Sequence, residues 1–239
     1  MKIVISGGDS RFAKELINQN TVHELIALSK TELDINDINS IDNAINLYNP
    51  DVFIHTAALS RPMSLHTTSP NTSIQLNIIG TSNCVLSCMK RNIKFVYIST
   101  DFVYPGTNGN YKETDPVFPI NKYAWSKLGG ECACMLYDNS LILRMAMFDK
   151  PFPHTKAFTD SFKSCIWNSD AAKITLQLIE SNVNGIYNIG GETKSIYDFV
   201  IQENYTIFKE SRNNISEFVP SDVSMNLEKL KTIINDSTI

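Results

Sequence analysis

The sequence is short of the residues that mark specialised chains. Histidine occurs four times, and no Cys or His pair accompanies Cys84 and Cys88 at zinc-ligand spacing, which excludes the common zinc motifs. The five cysteines, Cys84, Cys88, Cys132, Cys134 and Cys165, are odd in number and stand in helical or apolar surroundings. That excludes a disulfide framework and predicts reduced, buried thiols. No apolar run approaches the length that spans a bilayer, and no charged segment followed by an apolar stretch opens the chain. These absences predict a cytoplasmic protein with no membrane partner. Positive charge is not in excess either: 21 Lys and Arg stand against 25 Asp and Glu, so nucleic acid finds no basic footprint. Repeats, low-complexity tracts and interdomain linkers are also missing, which leaves one domain over residues 1–239.

What is present is an ordinary α/β pattern. With 239 residues and 43% hydrophobic content, the chain can build one full α/β domain and a small appendage. Short apolar runs predict strands at Lys2 to Ser6, His23 to Leu28, Asp51 to Thr56, Lys94 to Ser99, Ser140 to Met147 and Asn184 to Gly190. Helical segments alternate with them. One begins near Phe12; another carries the stripe Ile38, Ile41, Ala44, Ile45 and Tyr48. Further helices are expected from Ser169, from Ile196 to Phe208 and from Leu227 to Ile234, with a polar loop around Glu210 to Glu217. Near-continuous apolar strands such as Phe95-Val96-Tyr97-Ile98 suit the centre of a parallel sheet. The alternation predicts a doubly wound parallel sheet.

One stretch organises the chemistry: KFVYISTDFVYPGTNGNYKETDPVFPINKYAWSK, from Lys94 to Lys127. It leaves Ser99, Thr100 and Asp101 at the carboxyl end of a strand, where ligand crevices of open α/β sheets form. Tyr123 and Lys127 lie four apart on a helix, so a phenol and an ammonium can face one small volume. A neighbouring positive charge favours the phenolate, so Lys127 is expected to lower the pKa of Tyr123. With Thr100 bonding the same substrate oxygen, the group suits reduction of a carbonyl or oxidation of an alcohol. A Tyr and a Lys at this spacing also occur on plain surface helices. The STDFVY strand end upstream and the PINKYAWSKLGGE context set this pair apart.

The block resembles the Ser/Thr, Tyr-x-x-x-Lys triad of the short-chain dehydrogenase/reductase superfamily. Its wording is similar to the extended, sugar-nucleotide branch, especially dTDP-4-dehydrorhamnose reductases. The resemblance implies a Rossmann core over 1–148, and a lobe over most of 149–239 that binds substrate, with a strand near 185–190 returning to the sheet. It also implies hydride transfer from NADPH, or alternatively NADH, to the 4-keto group of a nucleotide-linked 4-keto-6-deoxyhexose. Tyr123 would protonate the developing alkoxide, Lys127 would bind the nicotinamide ribose, and Thr100 would orient the carbonyl beside Asp101 and Phe102.

Other positions follow from the same resemblance. Gly7-Gly8-Asp9-Ser10-Arg11-Phe12-Ala13 stands where the phosphate loop belongs. Of the family's G-x-x-G-x-x-G it keeps Gly7, with Ser10 and Ala13 at the second and third glycines. Ser29 and Lys30 stand where NAD-selective sites place a carboxylate. With Arg11 they favour the extra phosphate of NADP, the plainer alternative being solvated surface charges. Asp34-Ile35 resembles the segment that contacts the adenine, and Thr56-Ala57-Ala58 matches the family's Ala-Ala beside the cofactor. Asn77 aligns with an Asn whose backbone supports the site. Arg61-Pro62 resembles the Gly-Arg-Pro of plant and giant-virus reductases that finish UDP-rhamnose synthesis, and such an Arg can pair with a diphosphate. Arg144-Met145 is similar to that branch as well, which implies a substrate contact at Arg144. The segment from Asp149 to Ser169 is shorter than the family's substrate cover.

Two other readings stay open at this stage. A bifunctional 3,5-epimerase/4-reductase needs an acid and a base on opposite faces of the sugar. GDP-fucose synthases carry a Cys where this chain has Phe102, so Cys165 or His154 would have to serve. A non-catalytic cofactor-binding subunit is the other, because the regulatory subunit of methionine adenosyltransferase also resembles these reductases. Its support is the altered glycine loop and the short substrate segment; the intact Thr100, Tyr123 and Lys127 weigh against it. The motifs do not distinguish UDP, dTDP and GDP, and they are compatible with a homodimer.

Overall fold

Six strands form one parallel sheet in a computed structural model that describes residues 1–203, 206–215 and 218–234. In chain order the first half contains β1 (Lys2–Ser6), α1 (Arg11–Ile17), β2 (Glu24–Leu28), α2 (Ile38–Tyr48) and β3 (Val52–His55). Two short helices follow, α3 (Leu65–Thr68) and α4 (Pro70–Ser73), then a π-helical segment, Ile74–Gly80, that runs into α5 (Thr81–Met89). Next come β4 (Lys94–Thr100), α6 (Lys122–Cys134) and β5 (Ser140–Met145). The remainder holds β6 (Met147–Phe148), β7 (Lys156–Phe158), β8 (Phe162–Ser164), β9 (Ile166–Trp167), α7 (Asn168–Glu180), β10 (Gly185–Ile189), β11 (Thr193–Ser195), α8 (Ile196–Val200), β12 (Phe208–Glu210) and α9 (Glu228–Lys231).

The sheet order is β2-β1-β3-β4-β5-β10. Alternate residues feed opposite layers. Ile3 and Ile5 cluster with Phe12 and Leu16 of α1 and with Ala171 and Ile174 of α7. Val4 clusters with Phe53, Phe95 and Tyr97, and with Ile41 of α2, Cys84 of α5 and Cys134 of α6. Helices cover both faces, which is why the strands read as unbroken apolar runs. The chain reverses its direction of travel across the sheet between β1 and β3, and the crevice outside their carboxyl ends is the position where ligands of doubly wound sheets bind.

The structure departs from expectation in the C-terminal third. The strand predicted to Met147 ends at Met145, and β6 pairs with β9 instead. The helix expected from Ile196 to Phe208 stops at Val200 and tightens to a 3-10 turn over Ile201–Glu203. Residues 204–205 of it lie outside the described residues, and Phe208 pairs with Lys156 as part of β12. Its apolar spacing comes from a small cluster of Trp167, Ile196, Phe199, Val200 and Ile207, so packing imitates one continuous helical face. The closing helix shrinks to Glu228–Lys231, and the loop near Glu210 contains a 3-10 turn at Arg212–Asn214, with 216–217 outside the described residues. Three two-stranded pieces, β6 with β9, β7 with β12 and β8 with β11, form the lobe beside the sheet.

Candidate active site

The helix that carries Tyr123 and Lys127 is docked by its own sequence. Asn121 caps α6, its Oδ1 accepting from the Ala124 N–H at 2.8 Å, so Tyr123 lies in the first turn and Lys127 one turn on along the same face. Gly130 sets the depth: a Cβ there would come within 2.5 Å of Tyr97 Oη and 2.6 Å of the Asn77 carbonyl. Tyr97 Oη donates to the Lys127 carbonyl at 2.9 Å, fastening α6 to β4. Asn77 is fully buried within the π-helical segment, a distortion common at functional sites. Its side chain bonds both the N–H and the carbonyl of Leu59 and donates to Ser126 Oγ at 2.8 Å. It therefore joins the loop after β3 to α6, and it does so through the amide side chain.

Thr100 is the last residue of β4. Its Oγ1 donates to Asp101 Oδ1 at 3.1 Å and accepts from the Phe102 N–H at 3.2 Å. The Thr100 hydroxyl also stands close enough to the Tyr123 phenol to favour its ionised form. Asp101 is buried, and Lys163 of β8 places Nζ 2.8 Å from its Oδ2 and 4.0 Å above the Phe102 ring. The sequence reading missed Lys163, because a lysine inside a short strand carries no signal of its partner. Arg61 acts on the same phenol through its charge. The structure thus groups Thr100, Asp101, Phe102, Tyr123, Arg61 and Lys163.

The electrostatics differ from expectation. Burial pushes the Tyr123 phenol up to about 12, the Asp101 carboxylate adds to the rise, and the Thr100 hydroxyl and the Arg61 charge oppose it. Lys127 does not hold the phenol down. Its Nζ lies 4.2 Å over the Tyr97 ring, and burial lowers its own pKa to about 8 against the pull of Cys134 and Glu131. The ammonium is thus turned toward a π face and a carboxylate, and desolvation governs both groups.

Arg144 is not a ligand group. It is 3% exposed, ion-paired with Glu131, and donates to Tyr104 Oη at 2.9 Å. Glu131 also accepts from Ser99 Oγ at 2.8 Å, so the pair ties β5 to α6 underneath the site. A carboxylate buried this deeply holds its guanidinium, leaving nothing for a substrate. Of the two groups named for epimerisation chemistry, Cys165 is buried and its pKa is raised by burial to about 12. His154 is exposed and edge-on to Phe152. Burial likewise raises Cys84, Cys88 and Cys134, whereas Cys132 is exposed, contrary to expectation.

The crevice at β1 fits a dinucleotide. Gly7 has φ +70, and a Cβ there would lie 2.7 Å from Ala57 Cα, so the loop rests directly on the strand end in a conformation that suits glycine. Ser10 caps α1, its Oγ accepting from the Ala13 N–H at 3.1 Å and lying 2.9 Å from Thr56 Oγ1. This explains how a serine replaces glycine: it completes the helix start and leaves the first-turn N–H groups of Arg11 and Phe12 for an anion. The side chain of Phe12 is core, and that of Ile35 is buried against Gly80, so at both positions only the backbone can meet a cofactor. Asp34 Oδ1 accepts from the Asn36 N–H, forming a turn. Ala58 follows Ala57, partly exposed at the same edge.

At the end of β2 a carboxylate is present after all. Ser29 donates its hydroxyl and its N–H to Glu32, which holds that carboxyl below its usual range. Lys30 is exposed beside it. Arg11 pairs with Asp149 and so does not reach toward the ribose. Among the described residues no cluster of His, Cys, Asp and Glu could hold a metal ion, and no helix is long and apolar enough to cross a membrane.

A parallel sheet with a glycine turn after its first strand, and a threonine beside a tyrosine whose helix carries a buried lysine one turn on, defines an oxidoreductase of the Rossmann type. Within that class the chain belongs to the RmlD substrate binding domain family, whose profile matches residues 1–231. It is 25% identical over 247 aligned residues to dTDP-4-dehydrorhamnose reductase of Aggregatibacter actinomycetemcomitans, covering 92% of this chain and 82% of that one. Methionine adenosyltransferase 2 subunit beta of Pongo abelii is 33% identical over 104 residues, 44% of this chain and 31% of the relative. The crystal structure of dTDP-4-dehydrorhamnose reductase from Bacillus anthracis str. Ames in complex with NADP shares the fold, with a TM-score of 0.86 at 20% identity over 97% of this chain and 92% of that one.

Proposed function

We propose that the protein reduces the 4-keto group of a nucleotide-linked 4-keto-6-deoxyhexose with NADPH. The observation that carries this reading is the Tyr123 phenol standing beside Thr100 at the end of β4, with Lys127 one helical turn behind it. The bound nicotinamide supplies the hydride. Tyr123 keeps its proton at neutral pH, since its pKa lies near 12, so it serves as the donor to the developing alkoxide and favours the reducing direction. Thr100 orients the carbonyl oxygen toward that proton. Lys127, with a pKa near 8, is mostly charged at pH 7, and we assign its ammonium to the nicotinamide ribose. Asp101 and Lys163 close the site from the lobe side, and we assign the sugar to that lobe. Gly7, Ser10 and the first-turn N–H groups of α1 receive the cofactor diphosphate. Lys30 and Glu32 meet its adenosine ribose with opposite charges.

Incubation with UDP- and dTDP-linked 4-keto-6-deoxyglucose plus NADPH or NADH tests the reading, with loss of nicotinamide absorbance and product identification by NMR. Ketone-dependent oxidation in the wild type that disappears in Tyr123→Phe supports it. Equal, slow turnover by both proteins with every substrate would defeat it. The second reading, a cofactor-binding subunit without turnover, has one observation in its favour, the likeness to methionine adenosyltransferase 2 subunit beta over 104 residues. It expects nucleotide binding with no oxidation in either protein. Epimerisation finds no support in the positions of Cys165 and His154.

A further inference from the structure

Asp149 holds two arginines that belong to different loops. Arg11 opens α1 directly after the phosphate loop, and Arg61 lies in the loop after β3. Both bring Nη1 to the same carboxylate oxygen, Oδ2, Arg61 from 3.6 Å and Arg11 from closer. The other oxygen, Oδ1, accepts from Asn168 Nδ2 at 2.6 Å, at the first residue of α7. The Asp149 side chain is 17% exposed, whereas those of Arg11 and Arg61 are 51% and 55% exposed. The carboxylate is thus fixed from the lobe side, and the two guanidiniums reach it from the crevice side.

Two guanidiniums converging on one oxyanion is an arrangement by which proteins hold phosphate. Here an internal carboxylate stands at the convergence point. We propose that Arg11 and Arg61 together form a diphosphate site that Asp149 fills in the ligand-free protein, and that a phosphate-bearing ligand enters by displacing Asp149. The identity of that ligand, a nucleotide carrying a diphosphate, rests on the reductase reading; the exchange itself does not. Half-exposed ion pairs are individually weak, so a ligand of higher negative charge can replace the carboxylate.

The inference has an unusual sign: removing an acidic group from the site tightens binding. Asp149→Asn keeps the shape and the Asn168 contact and removes the charge. Calorimetric titration with NADP+ and with inorganic pyrophosphate compares the wild type, Asp149→Asn, and Asp149→Asn combined with Arg11→Gln and Arg61→Gln. Asp149→Asn is expected to bind both ligands roughly three- to tenfold more tightly, the range two exposed ion pairs can supply. The triple variant loses that gain and binds more weakly than the wild type. Its ligand-free melting temperature separates a folding defect from a binding defect. Equal or weaker binding of both ligands by Asp149→Asn overturns the inference and makes Asp149 a fastener of the two arginines. If neither protein binds NADP+ while Asp149→Asn gains affinity for pyrophosphate, the reductase reading falls and this inference stands. If both proteins bind NADP+ alike, this inference alone falls, and if neither binds either ligand, both fall.

Discussion

At the end of β4 the polar groups are buried and bonded to one another, whereas around the phosphate loop charges balance each other in half-exposed pairs. Beneath the triad, Ser99, Glu131, Arg144, Tyr104 and Asn188 form one continuous chain of bonds in the interior. Beside the loop, Asp149 shares Arg11 and Arg61, and Glu32 sits with Ser29 and Lys30 at the surface. The contrast separates two jobs. The reacting groups are set before any ligand arrives, which is what electrostatic preorganisation requires. The ligand's phosphates meet partners that exchange one anion for another.

Breaking the buried side should cost activity at the phenol and stability at the ion pair beneath it. Tyr123→Phe is expected to lower kcat roughly 10²–10⁴-fold, the usual worth of a positioned proton donor, with an unchanged denaturation midpoint. Glu131→Gln strands the buried Arg144, and urea unfolding should show a loss of about 3–5 kcal/mol. The same measurement on Asp149→Asn should show less than about 1 kcal/mol, as befits an exposed pair. If the two losses prove equal, the division between the regions is wrong.

The next effect is on pH. Lys127 has a folded-state pKa near 8, so its charge is complete below that value and is lost as pH rises through it. Reductase kcat should therefore fall above about pH 8, approaching tenfold per unit if the neutral form is inactive, and Lys127→Arg should shift that limb upward. A kcat flat from pH 7 to 10 would separate Lys127 from the chemistry. The smallest effect belongs to the surface side: Glu32→Gln should move the ratio of kcat/KM for NADPH over NADH toward NADPH by roughly two- to fivefold, since only an exposed charge is removed. No change would place the cofactor's ribose away from Glu32.

The sheet was legible because parallel strands buried on both faces write themselves as apolar runs, and Tyr123 and Lys127 because helical spacing puts them on one face. Their partners were not. Lys163 meets Asp101, and Glu131 meets Arg144, only after the lobe and α6 have packed onto the sheet, and nothing in either local sequence marks the match. Arg144 was assigned to the substrate on the Arg144-Met145 likeness alone, which carries no sign of Glu131. The direction of the Tyr123 shift was misread because spacing gives proximity, while burial and the Asp101 charge decide the sign. Glu32 was overlooked because the turn after β2 folds back, bringing it to Ser29. The helix expected to reach Phe208 failed where a lobe strand claimed that residue.

The central claim is hydride delivery to a sugar ketone above a protonated tyrosine. NADPH deuterated at its transferable position, incubated with a nucleotide-linked 4-keto-6-deoxyhexose and the full chain, tests it most directly. NMR of the product should show deuterium at carbon 4 of the sugar with the wild type and only a trace with Tyr123→Phe. A wild type that binds the cofactor yet leaves every such sugar free of deuterium would contradict the account and leave a nucleotide-binding scaffold in its place.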